Sequence, residues 1–296
     1  MRVLISTDTS CLINYKVLEN YPIKVFPLNV IIDGKEYLDG VNVDQDFLFK
    51  AMKKNKNVKT STPPLGTVID YFEKLFSEGY DKIIHFTISS KLSSMYDLFR
   101  NVSDNYFDGK IRVIDAYAVS SVMLSHVFFA YDEIKKGTDV DKICELIEER
   151  INDYYICFMP ENLDALKNGG RISPAMAVVG NALKLKPLLL LSDGEITKES
   201  MARSVKRTFI NKIDEMKEKY SIDKYDYSLI SFYAEENVFN NIKAYLNETF
   251  VGYKVVEGVF PINVSAHTGP GTVGLMISPK INDKSLNDYI NIEVLS

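Results

Sequence analysis

Four short segments of the chain combine hydroxyl, amide, histidine or arginine side chains with glycine or proline. They are residues 60–64 (TSTPP), 89–94 (SSKLSS), 166–173 (LKNGGRIS) and 265–274 (SAHTGPGTVG). Each lies at a predicted turn or element end, which is where open α/β sheets bind ligands. We therefore treat these four segments as candidate binding segments.

The first segment places Thr60, Ser61 and Thr62 ahead of two prolines and a predicted helix. A hydroxyl residue as N-cap with proline in the first turn is a common way to begin a helix. The same hydroxyls, with the free backbone amides of a helix N-terminus, also attract an anion. Both interpretations are compatible with the sequence.

The second segment carries four serines around another predicted helix start. A helix cap uses only one of them. The remaining serines, including Ser93, are candidates for binding a ligand, and we expect Ser93 to lie in a loop.

The third segment places Arg171 directly after Gly169 and Gly170 and before a predicted helix. A Gly-Gly pair is typical of a helix C-cap, and a single arginine is usually solvated. A guanidinium held at such a turn can instead pair with a carboxylate or phosphate through two hydrogen bonds.

The fourth segment is dense in glycine, which lets backbone approach a ligand closely. His267 and Thr268 supply hydrogen-bonding groups beside those glycines. The alternative is a tight Gly-Pro turn with a histidine on its surface. In either case we expect His267 to lie in a loop.

The patterns of familiar catalytic and metal sites are absent from the sequence. It contains no GxSxG, GxxxxGK[ST], HExxH or CxxC motif, and its three cysteines are widely scattered. His85 and His126 have apolar neighbours and are predicted to lie in the core. We expect no metal.

An enzyme that uses Ser93 and His267 on an acyl or phosphoryl group is the alternative to a binding protein, although no acidic residue lies near His267 in sequence.

The charge balance argues against nucleic acid as a partner. The chain has 35 Lys plus Arg against 40 Asp plus Glu, a net charge of −5, whereas proteins that neutralise phosphate backbones are basic. No apolar run approaches the ~20 residues that cross a bilayer, and Asp8 interrupts the apolar start. We expect a cytoplasmic protein without stable membrane insertion.

Strands and helices alternate over the first half of the chain. The pattern predicts strands at residues 3–6, 25–32, 82–87 and 111–115, and helices at 66–76, from 93, at 118–135 and at 140–152. Such alternation indicates a parallel sheet flanked by helices. The Asp33-Gly34 pair predicts a hairpin within this lobe.

The second half differs, with a hairpin predicted at Asp193-Gly194, helices near 205–220 and 238–250, and strands at 227–233 and 272–277. A length of 296 residues favours two cores over one. We place the boundary after the apolar strand at 154–159. The predicted fold is an α/β N-terminal lobe, residues 1–160, and an α+β C-terminal lobe with a mixed or antiparallel sheet, residues 161–296.

Taken in order, these segments resemble the motifs of the DegV family. The matching stretches are a Thr-Asp-Thr-Ser turn at 7–10, TSxP at 60–63, SSxLS at 89–93, a strand-end Asp at 113–115, GGRIS at 169–173, a basic stretch at 203–207 and AHTGPG at 266–271. The sequence departs from the family pattern at Thr62, where glutamine is usual, at Pro64, where serine is frequent, and at Lys91 and Ser94, where glycine is frequent.

The resemblance implies a carrier, and no enzyme, that holds one long-chain fatty acid such as palmitate, stearate or oleate between two lobes. The residues it implies around the carboxylate are Thr60, Ser61, Thr62, Ser93, Arg171, His267 and Thr268. It also implies a partner, a fatty acid kinase that makes an acyl phosphate, with Arg203 as the docking residue. A plain helix start with solvated basic residues is the alternative for Arg203, and an interaction module is a third possible function.

Overall fold

The first sheet is parallel, as predicted. The computed structural model describes residues 1–173 and 185–290. The strands of this sheet are β1 (Val3–Asp8), β2 (Ile23–Phe26), β6 (Lys82–Thr87) and β7 (Ile111–Asp115). They pair in the order β2–β1–β6–β7. Short apolar runs such as Leu4-Ile5 fit this position because a parallel sheet is buried on both faces.

Four helices follow the predicted pattern in this lobe. They are α2 (Leu65–Ser77), α3 (Met95–Tyr106), α4 (Ser120–Lys136) and α5 (Val140–Arg150). In α2 the buried residues Val68, Phe72 and Leu75 recur at helical spacing, so one face meets the core. Most of α4 is buried, because it contacts both β1 and a strand of the second sheet.

The single strand predicted at residues 25–32 is wrong, because Pro27 divides it. Proline has no N–H and cannot continue a ladder of hydrogen bonds. β2 ends at Phe26, and β3 (Asn29–Ile32) begins a separate antiparallel sheet. That sheet has the order β4–β3–β5, with β4 spanning Lys35–Leu38 and β5 spanning Val58–Ser61. Helix α1 (Gln45–Lys53) lies between β4 and β5 in the sequence.

The hairpin predicted at Asp33-Gly34 is confirmed as the β3–β4 turn, where both residues have positive φ, 51° and 80°. The hairpin at Asp193-Gly194 is confirmed in the same way, with φ values of 49° and 77°. Aspartate and glycine tolerate this left-handed backbone, so the turn residues alone predicted both hairpins.

The second sheet is mixed, as predicted. Its strands are β8 (Tyr155–Met159), β9 (Lys186–Ser192), β10 (Glu195–Ala202), β11 (Tyr225–Phe232), β12 (Val256–Val259) and β13 (Thr272–Pro279). Their order is β10–β9–β8–β13–β11–β12, and only β11 and β12 are parallel. Helices α7 (Val205–Lys219) and α8 (Glu236–Thr249), both predicted, pack against each other.

Two short helices complete the described part of this lobe, α6 (Asp164–Asn168) and α9 (Ile262–Thr268). The helix predicted after Arg171 lies outside the described residues. β8 ends just before the predicted boundary at residue 160 and pairs with β9 and β13; the division into 1–160 and 161–296 stays a prediction. None of the described helices has the length and apolar character needed to cross a bilayer.

The lobes meet closely where β12 crosses Ile13. The Val259 N–H donates to the Ile13 carbonyl oxygen at 2.9 Å. A Cβ atom on Gly258 would lie 2.7 Å from the Ile13 Cβ and 2.8 Å from its carbonyl oxygen. Glycine is therefore required at position 258 by this contact between backbones.

We expect Gly258→Ala to lower the free energy of unfolding by about 1–3 kcal/mol, because the added methyl group has to displace backbone. Gly66→Ala in α2 is the matched control, since nothing lies within 4 Å of its Cβ position; there alanine should be neutral or stabilising by about 0.5–1 kcal/mol. Urea unfolding of both variants measures the difference. Equal stability of the two would contradict the requirement for glycine at 258.

Candidate functional site

A deep cleft lies where the two large sheets and the three-stranded sheet approach one another. Its empty space, counting the open mouth, is about 890 Å³. Apolar side chains from both lobes form its walls, for example Ile88 and Val119 from the first lobe and Ile156, Phe158 and Met276 from the second sheet.

All seven polar residues selected from the sequence line this cleft: Thr60, Ser61, Thr62, Ser93, Arg171, His267 and Thr268. They come from β5, the loop after β6, the turn after α6 and helix α9. Two asparagines that the sequence patterns did not single out, Asn29 and Asn263, also line it. Among the described lining residues there is one cation, Arg171, and no Asp or Glu.

Thr60 and Ser61 lie in strand β5, so the expectation that they flank a helix N-terminus is wrong. They became a strand because β5 pairs with β3 along its full length. The N-cap of α2 is Pro64, which makes no side-chain capping bond. The hydroxyl groups therefore make other contacts: Thr60 Oγ1 lies 2.9 Å from His267 Nε2, and Thr62 Oγ1 lies 2.8 Å from Ser94 Oγ.

The serine-rich loop joins the lobes at its beginning and lines the cleft at its end. Ser89 Oγ donates to the Gly194 carbonyl oxygen at 2.8 Å, so the tip of the β9–β10 hairpin rests on this loop. The Ser90 N–H donates to the Asp115 carboxylate at the end of β7. Ser93 lies in the loop, as predicted, and lines the cleft.

Arg171 follows a helix C-cap, as one of the two interpretations of the Gly-Gly pair predicted. Gly169 caps α6 and Gly170 has a φ of 72°. The half-buried guanidinium donates to the carbonyl oxygens of Leu92 and Gly169, and burial lowers its pKa. In residues 1–173 and 185–290 no carboxylate lies within 4.0 Å of it, so its charge is unpaired by an acid there.

His267 lies in helix α9 and not in a loop, which corrects the expectation from the glycine-rich sequence. The glycines of this segment all follow the end of the helix, and the first of them, Gly269, has a φ of 78°. Burial, with a smaller effect of the Arg171 charge, lowers the pKa of His267 to about 3. The imidazole is therefore neutral at pH 7.

Two polar atoms at this end of the cleft have no hydrogen-bond partner among the described residues. They are His267 Nδ1 and Thr268 Oγ1, and both are buried. Buried polar atoms are nearly always hydrogen-bonded, and Nδ1 packs against Gly169, so the Thr268 hydroxyl is the unpartnered group that a polar ligand could satisfy.

Gly169 is required beside the imidazole by close approach. Its φ of −78° suits any residue, but a Cβ atom there would lie 2.1 Å from His267 Nδ1. The GGRIS and AHTGPG segments thus touch through this glycine and this ring. The sequence offered only the local explanation, a C-cap, and gave no signal of the contact.

His85 and His126 are buried, which confirms them as core residues. His85 stacks on Phe99 with ring centroids 4.2 Å apart, and its Nδ1 lies 2.8 Å from Ser6 Oγ. Within the described ranges no group of three or more His, Cys, Asp or Glu side chains could hold a metal ion.

Comparison with known families gives one consistent result. A family model described as "Uncharacterised protein, DegV family" matches residues 2–280. A DegV domain-containing protein of Mycoplasmopsis pulmonis is 29% identical over 291 residues, covering 98% of this chain and 99% of that protein. Another from Clostridium perfringens is 31% identical over 221 residues, covering 73% and 77%.

Solved structures show the same fold. A fatty acid binding DegV family protein from Streptococcus agalactiae has a TM-score of 0.84 at 25% identity, covering 95% of this chain and 99% of that chain. A stearic acid-binding protein from Eubacterium ventriosum also has a TM-score of 0.84, at 24% identity and with the same coverage. The two-lobed α/β arrangement is thus shared with both.

We expect no histidine of this protein to titrate between pH 5 and 8, because burial lowers the pKa of each of the three to about 3. NMR titration of the imidazole C2 protons measures this. A resonance that moves with a midpoint near pH 6.5, and that is missing from His267→Gln, would show that the His267 imidazole is solvated and that its pKa is not lowered.

Proposed function

This chain belongs to the DegV family, and we propose that it binds one long-chain fatty acid in the cleft. The carboxylate lies at the polar end and the tail runs along the apolar walls. One observation carries the proposal: seven polar side chains from four distant segments line a single cleft whose described lining holds Arg171 but no acidic residue. The fatty acid bound by the Streptococcus agalactiae relative supports this ligand class.

The apolar walls supply the affinity. Each buried methylene contributes about 0.8 kcal/mol, so a tail of roughly 15 methylenes contributes about 12 kcal/mol, which is comparable to the association cost of about 4–15 kcal/mol. The head group opposes binding, since an ionised carboxylate loses several kcal/mol of hydration. Charge-assisted hydrogen bonds have to return that free energy.

The Thr60–His267 pair provides such a bond if the neutral imidazole carries its proton on Nε2. Nε2–H then donates to Thr60 Oγ1, and the threonine hydroxyl hydrogen is free to donate to the carboxylate. Nδ1 remains as an unpartnered acceptor, which costs less than stranding a buried N–H. Ser93 and the Arg171 guanidinium, which also line the cleft, complete the set of donors.

We propose a carrier and not an enzyme. An enzyme using Ser93 and His267 needs the imidazole to take the serine proton, whereas here Nε2 is bonded to Thr60. Nδ1 has no carboxylate among the described residues to orient it. A carrier needs no base, because its task is to hold the acid and release it to another protein.

That other protein, in this proposal, is a fatty acid kinase that docks on Arg203. Arg203 is exposed and directly follows β10. It stands next to Ala202, whose register partner Lys186 forms an ion pair with Glu161. The Glu161 side chain abuts Gly271 in the turn after α9. Arg203 therefore lies at the end of the second sheet that carries the glycine-rich turn, close to where the head group would emerge.

We expect His267→Ala and Ser93→Ala each to weaken stearate binding about 10-fold or more, since Ser93 would donate to the buried carboxylate and His267 orients the Thr60 hydroxyl that donates to it. Binding of methyl stearate, which lacks the charge, should change little. Fluorescence displacement or calorimetric titration measures both ligands. Thr67→Ala is the control, because Thr67 is an exposed hydroxyl residue in α2 outside the cleft.

Equal affinity of the wild-type protein for stearate and its methyl ester would contradict the carboxylate site. Unchanged stearate affinity in both variants would contradict the assignment of these residues.

We expect Arg203→Ala to keep its fatty acid but to lose most acyl phosphate formation when a fatty acid kinase and ATP are supplied. Charges at the rim of an interface act chiefly on the rate of association, so the loss should be largest at low protein concentration. Arg100→Ala, an exposed arginine paired with Asp104 on α3, is the matched control. Wild-type rates for Arg203→Ala would rule out the docking role and leave the carrier proposal intact.

A further inference from the structure

We infer that Asp39 is a positioning residue for the cleft: its carboxylate, from the first lobe, holds the N-terminus of helix α9 and thereby sets where His267 and Thr268 stand. The inference rests on the proposed function, because the position of these two groups matters through the carboxylate they would bind.

Helix α9 has no cap at its own N-cap residue. Pro261 occupies that position and makes no side-chain capping bond, yet the first N–H groups of a helix need acceptors from outside it. The Ile262 N–H donates to the Tyr15 hydroxyl oxygen at 3.0 Å, and the Asn263 N–H donates to Asp39 Oδ2 at 3.0 Å. The cap is thus supplied by residues more than 200 positions earlier in the chain.

Asp39 is surrounded by donors and has no cation beside it within the described part of the chain. It is 1% exposed and accepts from the Tyr15 hydroxyl, from Thr9 Oγ1 at 3.0 Å and from the Asn263 N–H. Every one of these contacts needs an acceptor, which a carboxylate provides. Burial raises the pKa of Asp39 to about 7, and the neighbouring charge of buried Asp8 adds to the effect. Keeping an acid here is therefore costly, which a residue serving packing alone would not require.

The cap is linked directly to the cleft. The Asn263 side chain lines the cleft and donates to Ser10 Oγ at 2.6 Å. His267 follows at i+4 on the same helical face and lines the cleft too. The helix has only seven residues, about 10 Å of length, so a shift at its first turn moves the imidazole with it.

The other end of α9 is held by contacts that do not replace the cap. Thr272 Oγ1 donates to the carbonyl oxygens of Thr268 and Gly269 at 3.1 and 2.7 Å, and Thr60 meets His267. These bonds hold the C-terminal turn and supply no acceptor for the Asn263 N–H. Without the Asp39 carboxylate, the first turn would keep only the Ile262–Tyr15 and Asn263–Ser10 hydrogen bonds to described residues of the first lobe, and Tyr15 would lose its own acceptor.

The test measures the ratio of stearate affinity to methyl stearate affinity in wild type, Asp39→Ala and Asp39→Asn. We expect Asp39→Ala to lower this ratio about 10-fold, because only the acid depends on the placement of His267 and Thr268. Asp39→Asn should lower it less, since its side-chain oxygen can still accept from the Asn263 N–H.

Asp226 is a matched control for the loss of a buried carboxylate. It is 1% exposed and accepts from the Tyr253 hydroxyl, Ser285 Oγ and the Leu286 N–H, and none of these four residues lines the cleft. Asp226→Ala should lower the melting temperature as Asp39→Ala does, yet keep the wild-type ratio. A purely structural role for Asp39 would make the two variants alike.

A wild-type protein that does not prefer the acid over its ester would overturn the proposed function itself. A wild-type preference that persists unchanged in Asp39→Ala would overturn the positioning role alone. If Asp39→Ala does not fold, Asp39→Asn and Tyr15→Phe test the positioning role instead. Tyr15→Phe removes the hydroxyl that joins the Ile262 N–H to Asp39. An unchanged ratio of stearate to methyl stearate affinity in both variants overturns the inference.

Discussion

The hydrogen bond between Thr60 and His267 is the contact around which the polar end of the cleft is arranged. It joins a strand of the small antiparallel sheet to the helix that precedes the glycine-rich turn. The imidazole can keep this place only because Gly169 leaves room for it. Arg171 donates to carbonyl oxygens and has no carboxylate beside it in residues 1–173 and 185–290. A neutral ring, a guanidinium and several hydroxyls thus line the same cleft, which is a chemistry suited to an anion.

Three contacts between the two lobes hold this arrangement. The backbone of β12 crosses Ile13, the β9–β10 turn rests on the Ser89 hydroxyl, and the Asp39 carboxylate caps α9. Each contact joins one lobe to the other through a backbone group, and none of the three uses a pair of apolar side chains.

Much of the framework could be predicted from the sequence because the signals were local. Apolar runs gave β6 and β7, and the two Asp-Gly pairs gave both hairpins. Helix α9 was missed because its cap comes from Asp39, so no capping residue stands before it in sequence. Pro27 indicates two strands within residues 25–32, but the apolar residues on both sides of it favoured the prediction of a single strand. The seven polar residues selected from the sequence all line the cleft, and Asn29 and Asn263 were missed. The contacts among them could not be predicted, since these arise from folding. Two departures from the family pattern illustrate this: Thr62 and Ser94 hydrogen-bond to each other.

The central position of β13 determines when the cleft can exist during synthesis. β13 lies between β8 and β11, so the second sheet is two separate pieces until residues 272–279 have left the ribosome. The first sheet is complete in sequence by Asp115, and domains tend to fold as they emerge. A seven-residue helix is too short to persist alone, so α9 also waits for its surroundings. The first lobe, with Asp39 and Thr60, can thus fold before the second sheet is complete. β13 then closes the second sheet and brings Met276 to the cleft, so the cleft is complete only after this strand has been made.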